Sequence, residues 1–338
     1  MPKTVMLALL LALAGTAHAR TADGTLGVII TPNNGMPAVV RAGDRFEAVL
    51  TENLPLTLAG GGRMILVSEE ATPLPGGRFS VHCAVPPGTP PGTYAIGAMA
   101  RTGGEADTTP RAVFVVSEFR DYYVVAHLSD THIGKVRDGQ PDPAAMMAQV
   151  IAAVNASDAR LAVITGDLTD QGEVGQFQDF LRVLDTCVLP TFVVPGNHDR
   201  KDLNYERYFG PLYYHFRHGP DGFLAFDTKD YLTAEEGGPQ DLALYRMRRA
   251  IRDARWSVGL THRYEPAMGP RSQWTLFVDD PLDAVFFGHW HRENTDEEKA
   301  VPWGTTRFVV TPAAMNGEYR LIDMAAFGIK PRPVQRVP

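Results

Sequence analysis

The chain divides into two stretches with different patterns of hydrophobic and polar positions. Between residues 22 and about 118, apolar residues come in short runs: "RFEAVL" (45–50), "RMILVS" (63–68), "RFSVHCAV" (78–85), "TYAIGAMA" (93–100) and "RAVFVV" (111–116). Clusters such as "AGGG", "LPGG" and "VPPGTPPGT" separate them, and no helical period appears. Regularly spaced short strands with Gly/Pro turns predict an immunoglobulin-like β-sandwich over residues 20–120. In "RFSVHCAV", Phe79, Val81, Cys83 and Val85 alternate onto one face, and His82 points to the other. No catalytic constellation occurs here, so this stretch reads as an accessory domain.

From residue 121 to the end the rhythm changes. Apolar runs alternate with helical patterns: "YYVVAHLSD", "PAAMMAQVIAAVNAS", "RLAVITGD", "VGQFQDFLRVLD", "TFVVPGNHD". "LALYRMRRAIRDA" is helical, and the strands "RWSVGLTH" and "DAVFFGHWH" follow it. Further β-structure is expected in "TRFVVTPAAM" and "GEYRLIDM", and "KPRPVQRVP" reads as an extended end or edge strand. Strands joined by helices predict an α/β domain over residues 121–338.

The N-terminus adds a leader. "MPKTVMLALLLALAGTAHAR" has Lys3 as a short basic region, an apolar core from Val5 to Ala14, and "AHA" as a small-x-small cleavage pattern. The core is about half the length a bilayer-spanning helix needs. A signal peptide over residues 1–19 is therefore expected, with an exported mature chain, periplasmic or secreted, and no membrane span after cleavage. A net charge of −7 argues against a nucleic-acid partner, which usually faces a basic stripe. The two cysteines, Cys83 and Cys187, sit in different halves as small apolar residues, and no disulfide between them is expected.

Chemistry gathers where apolar runs end. "LSDTH", "ITGDLTD", "PGNHD", "GLTHR" and "FFGHWH" present Asp130, His132, Asp167, Asp170, Asn197, His198, Asp199, His262, His289 and His291. Ligands of α/β sheets collect at the carboxyl ends of strands, so five such ends converge on one rim. Taken singly, each has a plain structural explanation as turn, cap or surface strand. Jointly they hold five of the chain's ten histidines. Asp130, Asp167, Asn197 and the imidazoles of His132, His262, His289 and His291 form an oxygen–nitrogen set without sulfur. Such a set suits Zn, Mn, Fe or Ni better than Ca or Mg. Seven ligands exceed what one ion with an open position needs and suit two ions sharing a carboxylate. Two-metal sites clamp a phosphoryl group and acidify the water that attacks it.

The ordered set "DTH…GDLTDQG…GNHD…H…GHWH" resembles the calcineurin-like metallophosphoesterase superfamily over roughly residues 123 to 325. The resemblance implies two mixed β-sheets sandwiched between helices. It implies one metal at Asp130, His132 and His291, another at Asn197, His262 and His289, and Asp167 bridging them. It casts His198 as general acid and phosphate contact, with Asp170 as the carboxylate that keeps it charged and aimed. Asp199 is left to shape the turn. The protein phosphatases of the superfamily follow that carboxylate with a phosphate-gripping Arg; here Gln171 stands there, against phosphoprotein substrates. Purple acid phosphatases place a metal-binding Tyr where Asp170 stands and lack a His where His132 stands, so no iron–tyrosinate centre is expected. The better match is to bacterial diesterases, and export argues against cytosolic cyclic nucleotides.

The resulting expectation is a dinuclear metal-dependent phosphoesterase acting on small-molecule or lipid phosphodiesters or phosphomonoesters by metal-activated water. The alternative is a noncatalytic metal- or phosphate-binding scaffold or receptor on the same fold. Arg263 and Arg292 are open to two readings, phosphate contacts or solvated flanks. In the insert 203–239, Tyr213, Tyr214, His215 and His218 are open to packing or to lining a pocket. Trp290, on a strand continuing through His289 and His291, would point away from both.

Overall fold

The computed structural model describes residues 23–227, 239–263, 273–294 and 304–338; the expected leader and part of the insert before residue 239 lie outside them. The chain forms two compact units, divided between Ser117 and Glu118.

In the first unit, one sheet orders the strands Ile29–Thr31, Arg45–Leu50, Arg78–Ala84 and Ser68–Leu74. The other orders Ala38–Arg41, Glu105–Val116, Gly92–Met99, Leu56–Gly60 and Arg63–Leu66. Ala48, Leu50, Val81 and Cys83 from the first sheet share one core with Leu58, Ile96, Ala98 and Val113 from the second. His82 is exposed between buried Val81 and Cys83, as alternation requires.

The second unit carries two sheets. In chain order its elements are β1 (Tyr123–Leu128), α1 (Pro143–Asn155), β2 (Ala159–Thr165), α2 (Val174–Leu184), β3 (Thr191–Val194), α3 (Asn204–Phe209), β4 (Tyr214–His218) and β5 (Asp221–Ala225). Then follow α4 (Pro239–Ala250), β6 (Ser257–Leu260), β7 (Ala284–Phe287), β8 (Arg307–Val310), β9 (Glu318–Ala325), β10 (Gly328–Pro331) and β11 (Gln335–Arg336). The first sheet runs β3-β2-β1-β9-β10, with β11 also on β9; the second runs β4-β5-β6-β7-β8. Strands β1, β2 and β3 are mutually parallel, as are β5 to β8, while β9 and β4 join antiparallel.

Each sheet is covered on both faces, which is why its parallel strands read as unbroken apolar runs. On β1, Val124, Ala126 and Leu128 pack with Met147, Val150, Ile151, Phe177 and Phe180 of α1 and α2. The alternate residues face the other sheet: the His127 ring stacks on Phe286 at 5.4 Å, and the Tyr123 hydroxyl donates to Asp221 at 2.8 Å. The second sheet buries Leu224, Val285 and Phe287 against Leu244, Met247 and Ile251 of the α4 region and Leu276 and Phe277 of a π-helical segment. Helix α1 begins where Asp142 accepts the Ala145 amide at 3.1 Å, with Pro143 at its first position. This unit is therefore two mixed sheets between helices, as expected.

In the insert, packing is what the structure shows. The Tyr214 hydroxyl donates to the Val193 carbonyl at 2.7 Å, Tyr213 packs on the second sheet's core, and buried His218 lies against Tyr123 and Phe119. Among the described residues Cys83 and Cys187 are free, buried thiols in separate units. No helix of the described residues is long and apolar enough to cross a membrane.

Candidate metal centre

The five candidate loops leave the carboxyl ends of β1, β2, β3, β6 and β7, three from one sheet and two from the other. The loops after β1 and β2 are zipped together beyond the sheet. Asp130 N donates to Gly166 O, His132 N to Asp167 O and Asp170 N to Ile133 O, at 2.9 to 3.0 Å. The loop after β3 is fastened to them by Asp199, whose buried carboxylate accepts the amides of Gly196, Leu168 and Thr169 and the Thr169 hydroxyl. Asp199 thus shapes the turn, as its sequence position suggested.

Five candidate ligands have left-handed backbone: Asp130 (φ 54°), His132 (43°), Asp167 (49°), His289 (62°) and His291 (52°). That conformation costs a non-glycine residue roughly 1–3 kcal/mol and concentrates at functional sites. It also corrects the expected strand through "GHWH". Strand β7 ends at Phe287, and His289 and His291 lie on a turn rather than at alternate positions of a strand. Trp290, on that turn, packs edge-on against Phe287 at 5.1 Å, and the Arg292 guanidinium covers its ring at 4.8 Å. Stacking on Trp290 is thus the contact Arg292 makes.

Close approach makes this geometry possible. At Gly288 a Cβ would stand 1.8 Å from Ser129 Oγ and 2.3 Å from Asp130 Oδ2; at Gly196 it would stand 2.0 Å from the Asp167 amide. The His289 amide donates to Asp130 Oδ2 at 2.9 Å, and the His198 amide to Asp167 Oδ1 at 3.0 Å. Each carboxylate is left one oxygen facing the imidazoles.

Those imidazoles converge. His291 Nε2 lies 3.0 Å from Asp130 Oδ1 and 3.3 Å from His132 Nε2. His262 Nε2 lies 3.1 Å from Asp167 Oδ2, and His132 Nε2 lies 3.5 Å from the same oxygen. The donor atoms of Asp130, His132 and His291 all fall within 4.8 Å of one another, as do those of Asp167, His262 and His289. Asp130, His132 and His291 therefore meet in space, as do Asp167, His262 and His289, and Asp167 Oδ2 also stands 3.5 Å from His132 Nε2.

Asp130 Oδ1, His262 Nε2 and the buried amide oxygen Asn197 Oδ1 close no well-aligned hydrogen bond, although His291 Nε2 and Asp167 Oδ2 stand 3.0 and 3.1 Å from the first two. A buried polar atom left this way costs about 1–3 kcal/mol unless something else binds it. A buried set of oxygens and imidazole nitrogens crowded at this range fits a transition-metal cation. The electrostatics agree. Burial lowers the His262 imidazole, but Asp130 and Asp167 outweigh it and lift it to about 9. Burial would raise the Asp130 carboxyl, yet facing His262 and His291 hold it below its ordinary value. Burial drives His132 down to about 4 and His289 down as well. The carboxylates thus draw positive charge onto the point where a cation competes with the proton.

Orientation of His262 comes from behind, where its Nδ1 donates to the Thr165 carbonyl at 2.8 Å. His198 differs from the expected arrangement. Its Nδ1 bonds the backbone carbonyl of Asp170 at 2.6 Å, while the Asp170 carboxylate stays within 4.8 Å of its ring in a cluster with His132. The Asp170 carboxylate instead accepts Gln171 Nε2 at 3.0 Å and lies 3.3 Å from Lys135 Nζ and 3.4 Å from His132 Nδ1. Zipping of the two loops turns it toward His132. A polar cavity of about 480 Å³ opens beside His198, lined by Asp170, Gln171, Asn197, His198, Arg200, Lys201 and Asp202.

Sequence reasoning passed over three supporting residues: Lys135, Ser129 and His127. His127 is fully buried between the hydroxyls of Thr165 (2.9 Å) and Thr311 (2.6 Å). A histidine inside the apolar run of β1 was the one visible signal.

Fold and rim together define a metallophosphoesterase. Residues 123–293 match the calcineurin-like phosphoesterase family, and the chain belongs to that family. It is 32% identical over 91 residues to a protein of Arcobacter nitrofigilis named "probable glycerophosphodiester phosphodiesterase GpdQ". That stretch is 25% of this chain and spans about a third (33%) of the relative's length. The fold is similar to a purple acid phosphatase, PPD1, of yellow lupin, with TM-score 0.51 and 13% identity over 85% of this chain and 68% of that one. A structure of PhoD aligns with TM-score 0.47 and 10% identity, over 93% of this chain and 86% of that one.

Proposed function

We propose that this protein is a hydrolase of phosphoesters, phosphodiesters ahead of phosphomonoesters, that uses two transition-metal ions (Mn, Fe, Zn or Ni) and works outside the cytoplasm. The observation that carries the reading is the position of Asp167, whose Oδ2 faces His262 on one side and His132 on the other. Asp130, His132 and His291 would hold one ion, Asn197, His262 and His289 the other, and Asp167 both. When bound, the ions neutralise a phosphoryl group and acidify the water that attacks it.

The protein's own residues supply the rest. Asp130 and Asp167 are each held by a backbone amide through one oxygen, which fixes the other oxygen facing the imidazoles. The Asp170 carbonyl accepts His198 Nδ1 and thereby turns Nε2 toward Asp167, 4.0 Å away, on the side of the polar cavity. A proton on Nε2 is then placed to pass to the leaving oxygen as the P–O bond breaks. Two features support a diester: the cavity beside His198 has room for an alcohol portion, and the stretch shared with the glycerophosphodiester phosphodiesterase points the same way. Export rests on the leader at residues 1–19.

The test is a panel of nucleotide, phospholipid-headgroup, glycerophosphodiester and aryl phosphoesters, run on protein reconstituted with Mn, Zn, Fe or Ni. Diester turnover that depends on metal is expected. Metal-replete protein inert across the panel would leave the scaffold reading in its place.

A further inference from the structure

His132 and His198 both need their second nitrogen held, and Asp170 stands between them with two different acceptors. Its backbone carbonyl takes His198 Nδ1 at 2.6 Å, a closed hydrogen bond. Its carboxylate divides by atom. Oδ2 accepts Gln171 Nε2 at 3.0 Å, whereas Oδ1 lies 3.3 Å from Lys135 Nζ and 3.4 Å from His132 Nδ1. His132 Nδ1 is buried and closes no hydrogen bond in this geometry, so the facing carboxylate oxygen is the acceptor available for it to tighten onto. The placement is built by the backbone: Ile133 bridges to Thr169, and Asp170 N donates to Ile133 O at 3.0 Å, which sets the two side chains side by side.

We infer that the Asp170 carboxylate, steadied by Lys135 and Gln171, is a positioning residue for His132, whereas the hydrogen bond that aims His198 is the one to the Asp170 backbone carbonyl. A proton kept on His132 Nδ1 leaves the Nε2 lone pair pointing at Asp130, Asp167 and His291. A carboxylate behind a ligating imidazole fixes its tautomer and raises its basicity, and its loss typically weakens metal binding about 10–100-fold. The inference rests on the metal-centre reading above, yet it reverses the division of labour that the sequence pattern implied for Asp170.

The experiment has two arms. In the first, long-range nitrogen–proton NMR on wild-type protein stripped of metal, with His132 assigned through a His132→Gln variant, reads which nitrogen carries the proton. Nδ1–H is expected, and an Nε2–H tautomer overturns the inference. In the second, Zn or Mn binding is titrated against a chelator in Asp170→Asn, His198→Gln and the double variant. Asp170→Asn keeps the backbone carbonyl and is expected to weaken one of two sites by about 10–100-fold. His198→Gln is expected to leave both sites intact, and the double variant to repeat the Asp170→Asn loss. Unchanged affinities in Asp170→Asn, or a loss that vanishes in the His198→Gln background, overturn the inference. Wild-type protein that binds no metal would instead sink the metal-centre reading, while the NMR arm still decides the tautomer.

Discussion

The imidazole of His127 joins the two sheets: its Nε2 meets the Thr165 hydroxyl at the end of β2, and its Nδ1 meets the Thr311 hydroxyl just beyond β8. The Thr165 carbonyl in turn accepts His262 Nδ1 and the Ser129 hydroxyl. A residue with no place in the chemistry thus braces the backbone from which two of the five loops emerge.

That brace has a pH signature. Burial pushes His127 down to about 3, with Arg320 adding to it. An unfolded histidine takes up a proton near pH 6.5, and the folded one refuses it until far lower. The stabilisation is therefore fully present above pH 6.5 and is lost as pH falls toward 3, at up to about 1.4 kcal/mol per pH unit. Urea unfolding at pH 7.5 and pH 5.0 should show a steeper acid loss in wild type than in His127→Gln. The variant itself should be less stable at pH 7.5 by about 1–3 kcal/mol, the cost of an unpaired hydroxyl.

Asp167 is the single most exposed point of failure for metal loading. Loss of an outer hydrogen-bond partner of a ligand costs about 10–100-fold, and on the proposed reading Asp167→Ala would remove the ligand shared by both ions. Elemental analysis should find the variant with fewer than two metals per chain, with phosphoesterase turnover down by more than about 100-fold. Chelator treatment of wild type should have the same effect and should be reversed by adding metal back.

His198 should separate metal binding from turnover. His198→Ala is expected to keep both metals and to lose about 10²–10⁴-fold in turnover on alkyl diesters, the usual range for a lost general acid. On an aryl ester, whose leaving group departs without a proton, the loss should be much smaller. An equal loss on both substrates would remove His198 from proton transfer.

Gly288 carries a steric prediction. A methyl group at Gly288→Ala would collide with Ser129 Oγ and Asp130 Oδ2. Overpacking of this kind typically costs about 1–3 kcal/mol. Because Asp130 is one of the atoms displaced, the variant should show a lowered thermal midpoint together with loss of the metal at Asp130, His132 and His291. Loss of stability with metal content intact would mean that Asp130 has room to move.

The α/β unit was largely legible because its strands are covered on both faces. "YVVAHL", "LAVIT" and "AVFF" can be unbroken apolar runs only in a doubly buried parallel sheet, and β1, β2 and β7 fall there. The meeting of Asp130, His132 and His291, and of Asp167, His262 and His289, was legible because these residues follow strand ends in a fixed order. Strand Ser68–Leu74 was not legible, since "SEEATPL" lies at a sheet edge with an exposed, polar surface and carries no alternation. Helix α3 and the β4–β5 hairpin were hidden inside an aromatic insert whose residues serve packing. The Asp170 pairing was hidden for another reason: whether a backbone carbonyl or a carboxylate meets an imidazole depends on how two loops are zipped, and residue spacing does not encode that.

Asp130, His132, Asp167 and Asn197 belong to one sheet, and His262, His289 and His291 to the other. Metal held by the proposed centre would therefore also rivet the two layers, since its ligands come from both. Any ion that binds only the assembled pair raises its resistance to heat in proportion to the logarithm of its concentration. On the proposed reading, ion supply would then govern the lifetime of the assembled unit as well as its reactivity.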